Sequence, residues 1–227
     1  MKRALVVFVL VLVSMIVARA AATGTGGDSL LPGGRVSALG GMGVDYVNVQ
    51  DVVNLVNASV ISGGREPEFK AAVIFFGGVV LPVSESWSCK VEYAYLLGSY
   101  SISGFFGNTE FTFISHMPSI LFQYLLASEP TYTVRVGAGG GYHFGELHSR
   151  VATIEDRYSG KGLGVLLDLE GNTAFGESLF GYLGLEMRWD FVGRLTDPAG
   201  RTPGPPGSET TMHFFGAGAK FGFSYFF

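Results

Sequence analysis

Cysteine is nearly missing from the chain. Cys89 is the single one in 227 residues, so no intrachain disulfide can form and no cysteine-based metal cluster can assemble. It also lies far from the N-terminal region where a lipid-anchor cysteine belongs. Charge is scarce too: Asp, Glu, Lys and Arg make up 15% of the residues, and acids outnumber bases 19 to 15. Without residues 1–20, which hold Lys2, Arg3 and Arg19 and no acid, 12 bases face 19 acids, which excludes a nucleic-acid partner. A second long apolar run is absent although 48% of the chain is hydrophobic. Apolar residues spread this evenly exclude a helical membrane protein. The glycine-rich GAGGG and GAGAKFG stretches alternate as strand residues with no helix after them, so they are not phosphate-binding loops.

What is present begins with a targeting segment. Lys2 and Arg3 precede an apolar run from Ala4 to Ala18 broken only by Ser14, and small residues follow at Ala20, Ala21 and Ala22. The run falls short of the roughly 20 residues a spanning helix needs and ends like a cleavage site, so residues 1–20 read as a secretory signal peptide, with cleavage after Ala20 or Ala22. Residues 21–34 read as a flexible leader. Residues 35–227 are long enough for one all-β domain.

The last strand carries the clearest pattern. Phe215, Ala217, Ala219, Phe221, Phe223, Tyr225 and Phe227 share one face, and Gly216, Gly218, Lys220, Gly222, Ser224 and Phe226 the other. Such alternation suits a strand with lipid on one side and a polar interior on the other. Seven further alternating segments precede it, near 35–49, 68–81, 87–102, 109–126, 131–145, 163–170 and 178–192. Gln50 to Asn57 breaks the alternation with Val52, Val53 and Val56 at helical spacing after a possible cap at Asp51, and reads as a short helix in the first external loop. Parity slips between Phe111/Phe113 and Ile120/Phe122/Tyr124, and the proline at Met117-Pro118 suggests a bulge there. The charged stretch 145–162 and the Pro/Gly-rich stretch 193–209 read as long loops, the second a mobile one. The turns near Pro82, Pro130 and Asn172 are short.

These faces send Asp45, Lys90, Glu92, Arg135, Asp168, Glu170, Glu186, Arg188, Asp190 and Lys220 inward. An eight-stranded barrel is just wide enough for side chains to fill, and buried charges there must pair, so the expectation is an ion-pair network that plugs the interior. The alternative is a narrow conduit or transporter. Catalysis is not expected. His116 and Ser119, with a proline between them, have the wrong spacing for a serine–base pair, and no acid completes them. His143, His148 and His213 lack any established metal spacing and read as polar residues at a wet rim. No cofactor is implied.

The signal peptide, eight alternating segments and aromatic FGFSYFF end resemble the small eight-stranded outer membrane barrels, the outer membrane protein A transmembrane domain and its adhesion or invasion relatives. The resemblance implies an all-β, eight-stranded antiparallel transmembrane barrel, monomeric and non-enzymatic, with both termini in the periplasm. Phe221, Phe223, Tyr225 and Phe227 would form the signal read by the barrel assembly machinery, with outer membrane lipid and lipopolysaccharide around the wall. Envelope integrity and surface contacts through the external loops are the implied function. A lipid A-modifying enzyme is the remoter alternative, since the His-x-Ser-Asn pattern such a deacylase would show is absent.

Overall fold

The computed structural model describes residues 31–58, 69–104, 107–151, 154–204 and 209–227. The signal peptide and residues 21–30 of the leader lie outside the described residues. Eight antiparallel strands close into a barrel in chain order: β1 (Ser37–Asn48), β2 (Phe69–Pro82), β3 (Trp87–Gly104), β4 (Gly107–Glu129), β5 (Tyr132–Val151), β6 (Ile154–Ala174), β7 (Leu179–Arg194) and β8 (Thr211–Phe226). Closure is made by β1 and β8, which pair from Ser37↔Phe226 to Asn48↔Phe215. No strand edge is therefore left open, which is what a sheet in lipid requires.

Period-two alternation puts one residue set of every strand outside. Leu163, Val165, Leu167 and Leu169 of β6, Leu183, Leu185 and Met187 of β7, and Phe221, Phe223 and Tyr225 of β8 are all exposed, Leu163 at 63% and Leu183 at 61%. A continuous exposed apolar belt of this size is stable only against acyl chains, so the barrel spans a membrane. Aromatic pairs edge the belt. Trp87 meets Tyr124 edge-on near the short turns, and Trp189 lies against Phe215 toward the opposite end. The end carrying the short turns, the start of β1 and the end of β8 is here the turn end, and the other the helix end.

The helix end takes its name from α1 (Gln50–Ala58), which forms where the valine spacing places it. Asp51 does not cap this helix. Its Oδ2 instead accepts a hydrogen bond from the Thr211 backbone N–H at 3.3 Å and another from the Thr211 hydroxyl, tying α1 to the start of β8.

The stretch 145–162 is not a loop. Residues 145–151 and 154–162 extend β5 and β6 into one long hairpin, with Leu147 opposite Tyr158 and both turned toward the buried cluster. The outward residues Glu146, His148, Arg150, Glu155 and Arg157 gave this stretch its loop-like charge. They show that the wall here faces water instead of lipid.

The same exchange explains the parity slip in β4. Its register against β3 runs unbroken from Trp87↔Tyr124 to Gly104↔Gly107, through Tyr93↔Pro118. Against β5, pairing skips Met117 and Pro118 but resumes in register, and the true bulge is between Leu125 and Ala127. Proline has no N–H for the ladder, which accounts for the gap. Inward residues stay on odd positions throughout, from Phe111, Phe113 and Ser115 to Ser119, Leu121 and Gln123. What changes near Pro118 is the surroundings. Below it the wall is apolar outside, with Ile120, Phe122 and Tyr124, and above it apolar inside. In a Cys89→Ser background, cysteines at Thr112 or His148 should react with a charged maleimide in liposomes, and cysteines at Phe122 or Val165 should not.

Segment 193–209 is anchored where it is described. Leu195 is fully buried in the barrel cluster, and Thr196 and Ser159 exchange backbone hydrogen bonds at 2.9 and 3.0 Å. The leader's last residues are also held. Pro32–Gly34 form a 3-10 turn with Pro32 and Gly33 buried, and the Gly33 N–H donates to Ser128 Oγ at 3.0 Å. Arg35 donates to the Phe227 and Phe226 carbonyls at 3.0 and 2.7 Å, clamping the end of β8.

Candidate functional site

The barrel interior is the place where the polar residues converge, and it is layered. At the turn end, Phe180 and Phe226 pack with ring centroids 4.5 Å apart, and the 3-10 turn lies beside them through the Arg135 contact to the Gly33 carbonyl at 3.5 Å. Phe226 thus points inward and seals this end.

Above that layer, nine of the ten inward charges form one chain of ion pairs. Arg135 reaches Glu170 at 3.3 Å, and Lys90 holds Glu170, Asp168 and Glu92 at 3.2, 2.7 and 3.1 Å. Lys220 bridges Glu92, at 2.5 Å, to Glu186, and Arg188 joins Glu186 to Asp45, its Nε lying 3.5 Å from the Asp45 carboxylate. Gln123 donates to Asp168 at 3.1 Å. All these side chains are buried, so each charge removed from water is offset only by its neighbours. Glycine makes the room. A Cβ at Gly218 would overlap the Asp45 carboxylate, and one at Gly137 would overlap Asp168.

Asp190 stands apart from that chain. Its Oδ1 is hydrogen-bonded to His143 Nδ1, and His143 is buried in the interior, not at a wet rim. The other histidines face outward. His148 lies 3.5 Å from Glu146 on the water-facing wall, and His213 lies edge-on to Phe191. Among the described residues, no group of three or more His, Cys, Asp or Glu is arranged to hold a metal ion. His116, on the outer face, bonds through Nδ1 to the Tyr93 hydroxyl at 2.6 Å and is not paired with Ser119.

The third layer was not legible as an interior. Leu96, Tyr100, Phe111, Phe113, Leu147, Val192, Met212 and Phe214 line the helix end and are buried with Val52, Val53 and Val56 of α1 and with Leu195. The signal for it was present in Phe111, Phe113 and Leu147, whose parity matches the lumen face. An apolar lumen is invisible to a rule that makes barrel interiors polar.

Outside the belt, the charges behave as exposed ones. The Arg157 guanidinium holds the Glu155 carboxyl below its ordinary value, by hydrogen bond and by charge. The Arg201 backbone N–H does the same for Asp197.

No family model matches the sequence, and no curated protein matches it. Solved structures do. Neisserial surface protein A superposes with a TM-score of 0.54 at 9% identity, over 85% of this chain and 97% of that one. Ail of Yersinia pestis gives a TM-score of 0.47 at 9% identity, over 85% and 99%, and OprG of Pseudomonas aeruginosa 0.49 at 11%, over 86% and 96%. At such identities the likeness is one of fold, that of the small outer membrane β-barrels.

Proposed function

We propose that the chain is an outer membrane barrel closed to solutes, which works through the water-facing wall at its helix end and contributes to envelope integrity. The observation that carries this reading is the exchange of polarity at the level of Pro118: on one side the outside is apolar, with Ile120 and Phe122, and the interior holds the ion pairs, while on the other the outside carries Glu110, Arg150 and Glu155 and the interior is apolar. A wall that rises out of the bilayer with a filled core is a platform for surface contacts.

In this reading the turn end is periplasmic, as expected where the short turns, the start of the first strand and the end of the last one meet. Lipid and lipopolysaccharide surround the belt of a monomer, and Phe221, Phe223, Tyr225 and Phe227 supply the lipid-facing strand that the assembly machinery reads. The mixed charges of Glu110, Arg150, Glu155 and Arg157 form the surface offered to partners.

Cysteine labelling in intact cells tests the orientation. In a Cys89→Ser background, a membrane-impermeant maleimide should label Ala199→Cys on whole cells and Glu177→Cys only after lysis. Labelling of Glu177→Cys alone on whole cells would reverse the assignment of the two ends.

A further inference from the structure

Between the ion-pair chain and the apolar layer lie three further buried polar side chains. Ser119 Oγ is 3.1 Å from His143 Nε2, and His143 Nδ1 is bonded to Asp190 Oδ1. An ionised carboxylate only accepts, so the Nδ1 proton belongs to the bond with Asp190, and the Nε2 lone pair faces the serine hydroxyl. That is the connectivity of a serine nucleophile, its base and the acid that orients the base, and such centres are recognised by geometry and not by sequence order. The strands β4, β5 and β7 each contribute one member.

The surroundings fit the same chemistry. A Cβ at Gly164 would overlap the His143 ring, and one at Gly141 would stand 3.0 Å from its Nε2, so glycines on two strands leave the ring its place. Arg188, two residues before Asp190 on β7, directs its Nη1 at the thioether of Met117, two residues before Ser119 on β4. A thioether is a weak acceptor, so that buried guanidinium N–H is spent on a poor partner. On the other side of the three residues stands the apolar layer of Leu96, Phe113, Leu147, Met212 and Phe214, closed by the valine face of α1.

We propose that Ser119, His143 and Asp190 form an acyl-transfer centre at the floor of the apolar compartment, with α1 as its lid and long-chain acyl esters as its substrate class. The acyl chain takes the place of the α1 valines. Ser119 Oγ bonds to the ester carbonyl carbon as its proton passes to His143 Nε2. The carbon–oxygen bond to the alcohol breaks, and the alcohol leaves with that proton. Water, the second reactant, then adds to the acyl-serine through the same histidine, the free acid departs and the serine is restored. Ser119 is 5% exposed with the lid down, so reaction waits on α1. Asp51 and Thr211 hold that lid.

A long-chain alkyl fluorophosphonate, incubated with the refolded full-length mature barrel in liposomes and read by mass spectrometry of the adduct, tests this. A Ser119 adduct is expected in the wild type, formed at least several-fold faster in Thr211→Val, slowed more than tenfold in His143→Gln and abolished in Ser119→Ala. Heat-modifiable migration confirms that each variant is folded. A folded wild type and a folded Thr211→Val that both leave Ser119 unmodified would overturn the proposal, as would an unchanged rate in His143→Gln, since the histidine would then not be the base that activates the serine.

Discussion

Replacing Lys90 with methionine is expected to destabilise the barrel by about 3–5 kcal/mol, the range seen when one partner of a buried ion pair is removed. Lys90 is the branch point of the network, within 3.2 Å of Glu170, 2.7 Å of Asp168 and 3.1 Å of Glu92. Methionine restores the volume, so the loss isolates the charge. Glu170 keeps Arg135 and Glu92 keeps Lys220, but Asp168 is left with Gln123 alone for a hydrogen bond. The expected result in urea unfolding from liposomes is therefore a large fall in midpoint, partly recovered by Asp168→Asn in the Lys90→Met background. Lys161→Met, on the exposed outer wall, should change the unfolding free energy by no more than about 0.5 kcal/mol. A small effect at Lys90, or no recovery from Asp168→Asn, would show that the carboxylates are not held by this lysine.

Val53→Asp is expected to have the second largest effect, confined to the helix end. Val53 is 1% exposed and sits with Val52 and Val56 among Met212, Phe214 and Leu195. The substitution forfeits about 1.5–3 kcal/mol of apolar burial and places a carboxyl where no donor is at hand, at a further cost of about 1–3 kcal/mol. The two together shift docking of α1 by about 100-fold or more, since each 1.4 kcal/mol is tenfold. Limited proteolysis should then cut within 50–58, and an apolar dye should bind the uncovered compartment. The belt residues and the ion-pair chain are untouched, so the folded barrel should keep its migration on gels. Loss of the whole barrel would instead mean that the apolar layer is part of its folding core.

Much of this architecture was legible because a strand in lipid obeys a strict rule. Every inward charge from Asp45 to Lys220 was placed by parity alone, as were the belt residues of β7 and β8. The sequence was misleading wherever the surroundings of a strand change along its length. Glu146, His148, Arg150 and Arg157 read as loop because lipid was assumed outside, and Phe111 against Phe122 read as a bulge because a polar interior was assumed throughout. Both are consequences of strands that leave the membrane while the sheet continues. The contact between His143 and Asp190 could not be read at all. It joins β5 to β7 over Gly164 of β6 between them, and parity fixes which way a side chain points but not which inward neighbour it meets.

The account stands on a closed interior, and single-channel recording addresses that directly. The refolded chain without residues 1–20, in a planar bilayer at neutral pH, is expected to carry no steady current, because aromatic rings at the turn end, the ion-pair chain and the apolar layer under α1 lie in series along the lumen. A steady ohmic conductance in the wild type would contradict that closure and turn the charged interior into the lining of a pore.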